Sequence, residues 1–487
     1  MSLKVTSTLE LNGNEKIFCV DGNWVIIGFA AHLTGDRSIF ATNAPHVLQS
    51  LLKRHSRMRT RVRVDGKRYL LEILNYDSEL LSTDLFFSVV ETTNESWQQI
   101  VENRCNQNPY SNNGTIIFPL FHFMLVFDRD SSNENRFHLL LFTNHCAFDS
   151  RSGFVLINDF FTLATSPNLL DISEPVNAEV LPFLAQLTPR PYGPLYPLKS
   201  FILKRHMRQE LPKLAQPRIP VKSIPHVDCE PIRSNTQFYK TKFLFSSSSS
   251  NVYSNLHKIC QSQQVTLNCP LFSCLLLAVH HCFPLDNNNR LEPFNIDLYF
   301  DMRLRLPRSP LTSSSVGFFV GTAGMKLKRS LSLQSTQFWL LAQKCMRMTR
   351  KRLQRNGVPL MINVFCDIMR HERQFERISR LYPGGRLSEI GFSNIGKYPF
   401  SCDYNHGQVR LHGLHIVSST SLYRTSSIMY VTCAGDGQLD FSLGHEIEND
   451  ERAKEFFDYY IHLIEACADS ERCTIQTTLE QLLKSVE

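Results

Sequence analysis

Ten prolines lie between residues 182 and 231, and this cluster constrains the fold of the chain more than any other feature. A proline lacks a backbone N–H and fixes its φ angle, so this density argues against long helices and central strands. We therefore predict that residues 186–232 are a crossover between two halves, residues 1–185 and 233–487. A chain of 487 residues is too long for one compact core, which agrees with this division.

The hydrophobic patterns on both sides of the crossover predict mixed α/β halves. In the first half, residues 43–52 predict a helix that begins at Asn43-Ala44-Pro45. Residues 116–127 and 136–145 predict a long hairpin, and residues 154–163 predict a buried helix directly after it. The second half has similar strands and helices, at residues 238–245, 270–283, 294–301, 437–443 and 450–468.

Composition and charge exclude several classes of protein. The chain has 52 Lys and Arg against 45 Asp and Glu, a net charge of +7, which is a small excess for a surface of this size and argues against a nucleic-acid partner. Residues 1–15 lack the apolar core of a secretion signal, and the longest apolar run, residues 271–279, is too short for a membrane span. The 14 cysteines are scattered singly, which is typical of free thiols. We expect a cytoplasmic protein with no membrane span.

The most basic predicted element is an amphipathic helix over residues 337–355. Lys344, Arg347, Lys351 and Arg355 recur on one of its faces at steps of three and four residues. A solvated face is the favoured interpretation, and a contact with phosphate groups stays open. The face has no interleaved aromatic residues, which argues against an RNA- or DNA-binding function.

A His and an Asp stand four residues apart where the second predicted strand of the hairpin ends, at His145 and Asp149. A strand end can hold an imidazole in a fixed orientation towards a cavity, where a general base must sit. The spacing alone is weak support, because such pairs occur often by chance among 17 histidines.

Other histidines and glycines in the chain do not form a known site. His280-His281 is a doubled histidine, but no Asp follows His281 after four residues, and the pair lies at the end of a predicted helix. No His, Cys and Asp cluster has the spacing of a zinc site, and no segment has a dinucleotide or phosphate-loop fingerprint. We expect no metal and no bound cofactor.

Residues 144–150, Asn-His-Cys-Ala-Phe-Asp-Ser, resemble the His-His-x-x-x-Asp-Gly motif of the chloramphenicol-acetyltransferase-like superfamily. This superfamily includes the condensation domains of nonribosomal peptide synthetases and the polyketide-associated and alcohol acyltransferases. Asn144 stands at the first His of the motif and Ser150 at its Gly. Further segments resemble the superfamily in the same order, namely residues 55–61, 265–268, 301–307, 316–319 and 392–396.

The resemblance implies a fold and a reaction. The fold is α/β (α+β), with two similar chloramphenicol-acetyltransferase-like halves, each a mixed sheet flanked by helices, and a tunnel between them. The reaction is transfer of an acyl group from a CoA or phosphopantetheine thioester to an alcohol or amine, with acyl-CoA as co-substrate. It implies that His145 is the general base and that Asp149 pairs with Arg303 to hold the loop. Ser393 or Asn394 would donate to the oxyanion, and the choice between them stays open.

Three alternatives to a CoA-dependent enzyme remain at this point. The first is a condensation enzyme whose acyl donor is attached to a carrier protein, which would then be its partner. The second is a non-catalytic binding protein of the same fold, suggested by Ser150, because a backbone that requires positive φ would be reshaped by serine. The third and weakest is the nucleic-acid-associated protein that the basic helix suggests.

Overall fold

The structure is a computed structural model. It describes residues 4–487 with gaps at residues 21–22, 67, 78–80, 93–94, 110–114, 129–134, 167–174, 178, 210–211, 213–217, 222–239, 286–288, 307–308, 355, 371–376, 379–380, 383–385, 421–424 and 436.

The described residues alternate between strands and helices along both halves. The strands are β1 Val5–Glu10, β2 Cys19–Val20, β3 Asn23–Trp24, β4 Ile26–Gly35, β5 Thr60–Asp65, β6 Arg68–Leu74, β7 Phe87–Thr92, β8 Ile116–Ile117, β9 Phe121–Asp128, β10 Arg136–Asn144, β11 Lys242–Ser247, β12 Arg290–Leu291, β13 Ile296–Asp301, β14 Val320–Met325, β15 Leu331–Ser332, β16 Ile390–Lys397, β17 Asp403–Tyr404, β18 Val409–Ser418, β19 Ser427–Ala434 and β20 Gln438–His445.

The α-helices vary in length from one turn to five. They are α1 Gly13–Ile17, α2 Arg37–Arg54, α3 Trp97–Cys105, α4 Ser150–Ala164, α5 Leu184–Leu187, α6 Tyr196–Gln209, α7 Val252–Ser262, α8 Asn268–Cys282, α9 Phe338–Gln354, α10 Gly357–Met369, α11 Asp450–Cys467 and α12 Leu479–Lys484.

The first half is organised around a six-stranded sheet with the order β17-β18-β4-β10-β9-β7. Strands β9 and β10 form the predicted antiparallel hairpin, and β7 runs parallel to β9. Successive side chains of β10 point to opposite faces, so Leu139 and Leu141 join the core beneath α2 and α4. Leu140 and Phe142 pack instead with residues of α3 on the other face.

Strand β18 belongs to the second half of the chain but pairs with β4 of the first. The antiparallel register runs from Val409 opposite Gly35 to Ser418 opposite Ile27, with one irregularity between Leu411 and Gly413. The first sheet is therefore completed by a segment that follows the second half's strands β11 to β16 in sequence.

The second half has its own six-stranded sheet, in the order β11-β20-β19-β16-β13-β14. It is mixed, because β16 runs parallel to both β13 and β19, whereas β14 is antiparallel to β13 and β20 is antiparallel to β19. Helices α8 and α11 pack in the same core as this sheet. A smaller sheet, β1-β6-β5-β8, lies in the first half. The predicted α/β class with mixed sheets flanked by helices is confirmed.

Two predictions based on proline are wrong. Helix α2 begins after Asp36, whose carboxylate accepts from the Ser38 N–H, and Pro45 lies inside the helix. Pro45 is on the exposed side, so water can solvate the carbonyl that loses its hydrogen bond. Helix α6 has 14 residues within the predicted crossover, because Pro197 occupies its second position, where no backbone N–H is needed.

The domain boundaries themselves stay predictions, because residues 222–232 of the predicted crossover lie outside the described residues. Within the described chain, we find no helix that is both long and apolar enough to cross a membrane. The 13 cysteines in that part of the chain are free, and all of them except Cys402 are buried.

Candidate active site

A tight turn after β10 carries both His145 and Asp149. The backbone N–H of His145 donates to Val25 O at 2.8 Å, which ties the turn to the segment before β4. The N–H groups of Ala147 and Phe148 both donate to Asn144 O. Helix α4 then begins at Ser150 with Asp149 as its N-cap. The turn is therefore fixed at both ends.

The ring of His145 is held in one orientation and one tautomer. Its Nδ1 lies 2.8 Å from the carbonyl oxygen of Phe148. A carbonyl can only accept, so Nδ1 carries the proton and Nε2 of the neutral ring carries the lone pair. Phe18 stacks on the ring at 4.5 Å between centroids, and Phe318 meets it edge-on at 5.1 Å. His145 therefore has the orientation that a general base needs.

Asp149 and Arg303 form a bidentate ion pair across the two halves. The two Arg303 terminal nitrogens each donate to a different Asp149 oxygen at 2.8 Å, and both side chains are fully buried. Asp149 also accepts from the backbone N–H groups of Ser152 and Phe319. The structure thus brings together the two residues expected to pair.

The charge on Asp149 is stabilised despite its burial. Burial by itself raises the pKa of Asp149, but the positive charge and hydrogen bonds of Arg303 outweigh it. The hydrogen bonds from Ser152 and Phe319 add to the same effect, so the pKa lies below its usual value. Asp149 is an ionised, structural partner of Arg303 and of the α4 N-terminus.

Ser150 does not strain the backbone. It is the first residue of α4 and has no positive φ, so the reshaped loop that its replacement of glycine suggests is not found. Its side chain instead lines the cavity beside His145, where glycine would leave more space. The substitution therefore changes the volume of the site rather than its backbone.

A cavity of about 40 Å³ lies against His145, between residues of both halves. This volume holds about three waters. Phe18, Val25 and Ser150 line it from the first half, and Tyr299 and Val320 line it from the second. Hydroxyl groups make up most of its polar lining, from Ser150, Tyr299, Ser393, Ser418, Ser419, Thr425 and Tyr430.

Ser393 and Asn394 occupy different positions relative to this cavity. Ser393 lines it together with His145. Asn394 is the next residue of β16 and its Oδ1 accepts from the Gly396 N–H at 3.0 Å, beside an irregularity in the strand. Of the two residues expected to donate to an oxyanion, Ser393 is the one beside His145.

Sequence reasoning missed several residues of the site, among them Phe18, Ser418, Ser419 and Tyr430. Tyr430 and Ser418 are joined by a 2.7 Å hydrogen bond, and burial raises the pKa of Tyr430. Ser419 Oγ accepts from the Ile26 N–H at 3.0 Å. The run of hydroxyl residues from Ser418 to Ser421 was a usable signal in the sequence, whereas nothing local marks Phe18.

The other sequence candidates lie outside this cavity. His281 stacks on Tyr459 at 3.9 Å between ring centroids and faces the Glu487 carboxylate at 3.7 Å. In helix α9, Arg347 and Lys351 are exposed, Lys344 is half-buried, and Arg355 lies outside the described residues. Among the residues that the structure describes, no group of three or more His, Cys, Asp or Glu could hold a metal ion.

No family model matches the chain, and no curated protein matches it in sequence. Several solved structures are similar over nearly their whole length. The trichothecene 15-O-acetyltransferase TRI3 from Fusarium sporotrichioides has a TM-score of 0.70 at 11% identity, covering 96% of this chain and 97% of that one.

Two other similar structures come from polyketide systems. The condensation domain of the monacolin K polyketide synthase MokA has a TM-score of 0.63 at 12% identity, covering 98% and 100% of the two chains. Polyketide synthase associated protein 5 from Mycobacterium tuberculosis has a TM-score of 0.60 at 14% identity, covering 93% and 98%. The chain therefore has the two-lobed fold of condensation domains and the acetyltransferases that resemble them, as its motifs led us to expect.

Proposed function

We propose that this protein is an acyltransferase that moves an acyl group from a thioester to an alcohol or amine, with His145 as general base. The observation that carries this proposal is the tautomer of His145. Its Nδ1 donates to the Phe148 carbonyl, which leaves the lone pair on Nε2 of a ring that lines the cavity between the halves. The fold shared with an O-acetyltransferase and condensation domains supports the same reaction type.

The reaction follows from these positions. Nε2 of His145 takes the proton from the acceptor O–H or N–H as the acceptor atom bonds to the thioester carbonyl carbon. The carbonyl electron pair moves onto oxygen, and the Ser393 hydroxyl donates to this oxyanion. When the carbonyl re-forms, the C–S bond breaks and the proton held by His145 passes to the departing thiolate. The enzyme therefore ends the cycle in its starting protonation state.

Asp149 and Arg303 act as positioning residues in this mechanism. Their pair ties the N-terminus of α4 to the segment before β14, because Arg303 also donates to Ser315 O at 2.9 Å. The two segments carry residues on opposite sides of the cavity. A rigid link between them keeps His145 and its substrates at a fixed separation.

Acyl-CoA is the donor we propose, in preference to an acyl group on a carrier protein. The exposed cations of α9, including Arg347, Arg350 and Lys351, support a contact with the CoA phosphates. A cavity of about 40 Å³ does not hold a thioester, so donor binding requires the lining side chains to move. The free, mostly buried cysteines support the proposal that the enzyme works in the cytoplasm.

The observation that suggested a non-catalytic binding protein no longer supports that alternative. That alternative rested on strain at Ser150, and Ser150 is unstrained. No other described feature of the His145 turn favours it over a catalytic function.

The test is release of free CoA from acetyl-, hexanoyl- and palmitoyl-CoA, measured with a thiol reagent against a panel of alcohols and amines. We expect at least one donor and acceptor pair to react with the wild type and the His145→Ala variant to lose the activity. His281→Ala is the matched control and should retain it, since His281 lies against Tyr459 instead of the cavity. Acyl transfer that survives in folded His145→Ala would overturn the mechanism.

A further inference from the structure

Helix α6 and the 3₁₀ turn Gly193–Leu195 before it expose a cluster of large apolar side chains. The exposed fractions are 38 to 62%, for Tyr192, Leu195, Leu198, Phe201 and Ile202. No other stretch of eleven described residues contains more than two exposed side chains of this kind. Single exposed apolar residues are common on protein surfaces, whereas a cluster of them marks an interaction site.

Three of these side chains form one stripe along α6, opposite the face that packs against the protein. Leu198, Phe201 and Ile202 are spaced by three and four residues, so they lie side by side on the helix. The buried residues follow helical spacing on the other side of the helix, at Tyr196, Ser200 and Met207. The stripe of Leu198, Phe201 and Ile202 therefore points away from the core.

The buried face of α6 is anchored by specific hydrogen bonds. The Tyr196 hydroxyl donates to Asp367 Oδ2 in α10 at 2.8 Å, and Lys204 Nζ pairs with the same oxygen at 3.2 Å. The Tyr382 hydroxyl donates to the Met207 carbonyl oxygen at 2.9 Å. These contacts fix which side of α6 faces the core. The exposure of the apolar stripe is therefore a built feature of the fold.

The segment that contains the stripe is basic. Residues 180–209 contain no Asp or Glu. The exposed Lys and Arg residues in this range are Arg190, Lys199, Arg205 and Arg208. Arg205 and Arg208 follow Phe201 by four and seven residues, which places them on the same side of the helix, one and two turns further on. The exposed side of α6 thus combines an apolar stripe with a local excess of positive charge.

An anionic lipid surface has the chemistry that this side of α6 fits. Apolar side chains enter the boundary between headgroups and acyl chains, and the Arg and Lys side chains beside them reach the headgroups. A lipid surface needs no matching shape, whereas a protein partner needs an acidic groove that receives a convex helix. One side of a 14-residue helix, about 21 Å long and about 10 Å wide, is also far smaller than the ~800 Å² that each partner buries in a standard protein interface.

We propose that α6 docks this protein on an anionic phospholipid surface. The helix lies in the plane of the interface, with Leu198, Phe201 and Ile202 in the headgroup–acyl boundary. Arg205 and Arg208 pair with headgroup phosphates and carboxylates. The inference does not depend on the acyl transfer proposed above, because the described lining of the His145 cavity contains no residue of α6.

The experiment is co-sedimentation of the intact protein with vesicles of phosphatidylcholine, alone or with about 30 mol% phosphatidylserine. At about 0.05 M salt we expect binding to the phosphatidylserine vesicles to be at least ~10-fold stronger, because several cations approach an anionic surface. At about 0.5 M salt most of this difference should disappear, because salt screens the attraction.

Variants of α6 separate the apolar contribution from the charge. Leu198→Ser with Phe201→Ser should weaken binding to phosphatidylserine vesicles at least ~10-fold, since less apolar surface is buried. Arg205→Gln with Arg208→Gln should weaken it by a similar factor, whereas Arg205→Lys with Arg208→Lys keeps the charge and should bind like the wild type. Leu340→Ser, at an equally exposed apolar position of α9, is the matched control and should stay within ~2-fold of the wild type.

A fluorescence measurement reports the contact itself. In Phe201→Trp, the emission of the new indole should shift to shorter wavelength when phosphatidylserine vesicles are added, because the ring leaves water for the interface. Leu340→Trp places an indole at the control position on α9 and should show no shift. Lys258→Gln with Arg329→Gln removes two exposed cations of the second half and should leave vesicle binding within ~3-fold of the wild type.

Several results would overturn the proposal. They are equal binding to the two kinds of vesicle, binding that survives in folded Leu198→Ser with Phe201→Ser, and an unshifted emission in Phe201→Trp. An equal loss in Lys258→Gln with Arg329→Gln would show that net charge alone attracts the protein, which also contradicts a site on α6. Analytical ultracentrifugation tests a second copy as the occupant. A wild-type dimer that dissociates in Leu198→Ser with Phe201→Ser, without vesicle binding, would assign the stripe to that contact and overturn the inference.

Discussion

The two halves contain the same local structure, and the two copies differ in what surrounds their histidine. In each half an antiparallel hairpin, β9–β10 or β19–β20, leads through a short turn into an N-capped helix. The first turn has His145 and Asp149 four residues apart, and the second has His445 and Asn449 at the same spacing. The cap side chain accepts from the N–H three residues later in both, Ser152 in one and Arg452 in the other.

The two histidines differ in their tautomer and surroundings. Nδ1 of His145 donates to a carbonyl, whereas Nδ1 of His445 accepts from the Ile447 N–H at 3.3 Å, so the proton of His445 is on Nε2. His445 is 2% exposed and does not line the His145 cavity. The four-residue spacing between a histidine and a helix-capping residue is thus a property of a strand end followed by a capped helix. The tautomer of His145 and the cavity beside it make this histidine, rather than His445, the candidate base.

The largest expected difference between the two turns is in rate. His145→Ala should lower acyl transfer by ~10²- to 10⁴-fold, the contribution of a positioned general base, with a small change in stability. His445→Ala should lower the melting temperature, because it empties a packed position, and should change the rate less than ~10-fold. Steady-state kinetics and thermal unfolding of both variants measure this. An equal loss of rate in the two folded variants would remove the distinction.

The next difference is in the free energy of unfolding. Asp149→Asn removes the charge that faces buried Arg303 and should cost about 3 kcal/mol. Asn449→Ala removes an exposed, uncharged cap and should cost about 1 kcal/mol. Chemical denaturation of the variants measures both values.

A double-mutant cycle shows whether Asp149 acts through Arg303. The combined loss in Asp149→Asn with Arg303→Ala should be smaller than the sum of the single losses, because the second change removes a charge that has lost its buried partner and keeps only the half-exposed Asp301 at 3.0 Å. Additive losses would show that the pair contributes nothing as a pair.

The charge on Asp149 also makes the first turn sensitive to acid. Its folded pKa lies below the usual 3.8, so the pairing stabilises the fold fully above that value and is lost as pH falls through the folded pKa. The wild type should therefore lose stability more steeply than Asp149→Asn between about pH 5 and pH 2. If the free energy of unfolding in urea falls with pH at the same rate in the wild type and in Asp149→Asn, the result would contradict the ion pair. Asn449→Ala should follow the wild-type slope, since that cap does not titrate.

The smallest expected effect concerns Ser150, the residue after the first cap. Ser150→Gly removes a side chain from the cavity and places glycine in the first turn of α4, at a cost of about 0.5 to 1 kcal/mol. The rate should stay within a few-fold of the wild type or rise for bulkier acyl groups. A loss of activity greater than ~10-fold would show that the serine hydroxyl itself takes part.

Parts of the fold could be predicted because local patterns determine them. The alternation in β9 and β10 and the buried helix α4 were readable in this way. The pairing of β18 with β4 could not be predicted, because nothing in the sequence of residues 409–418 indicates which of the two sheets this strand joins. Pro45 misled the prediction of α2, since a proline at an exposed position is tolerated inside a long helix.

The candidate site likewise has some features that the sequence predicts and others that it does not. The contact between Asp149 and Arg303 could be predicted, because both residues lie in segments that resemble motifs of the superfamily in the same order, and the structure contains the contact. The choice between Ser393 and Asn394 needed the pleat of β16, which places one of them beside His145. Phe18 could not be identified, because its stacking on His145 depends on how the segment after α1 folds back. The roles of these residues in catalysis remain predictions.

The pairing of β18 with β4 also affects how the chain folds during synthesis. The hydrogen bond from Ile26 N–H to Ser419 joins residues 393 positions apart, so the ribosome must make most of the protein before this edge of β4 is covered. At ordinary translation speeds that interval is about 20 to 80 s. During this time a ten-residue strand edge is open to pairing with other chains, which makes the nascent first half prone to aggregation.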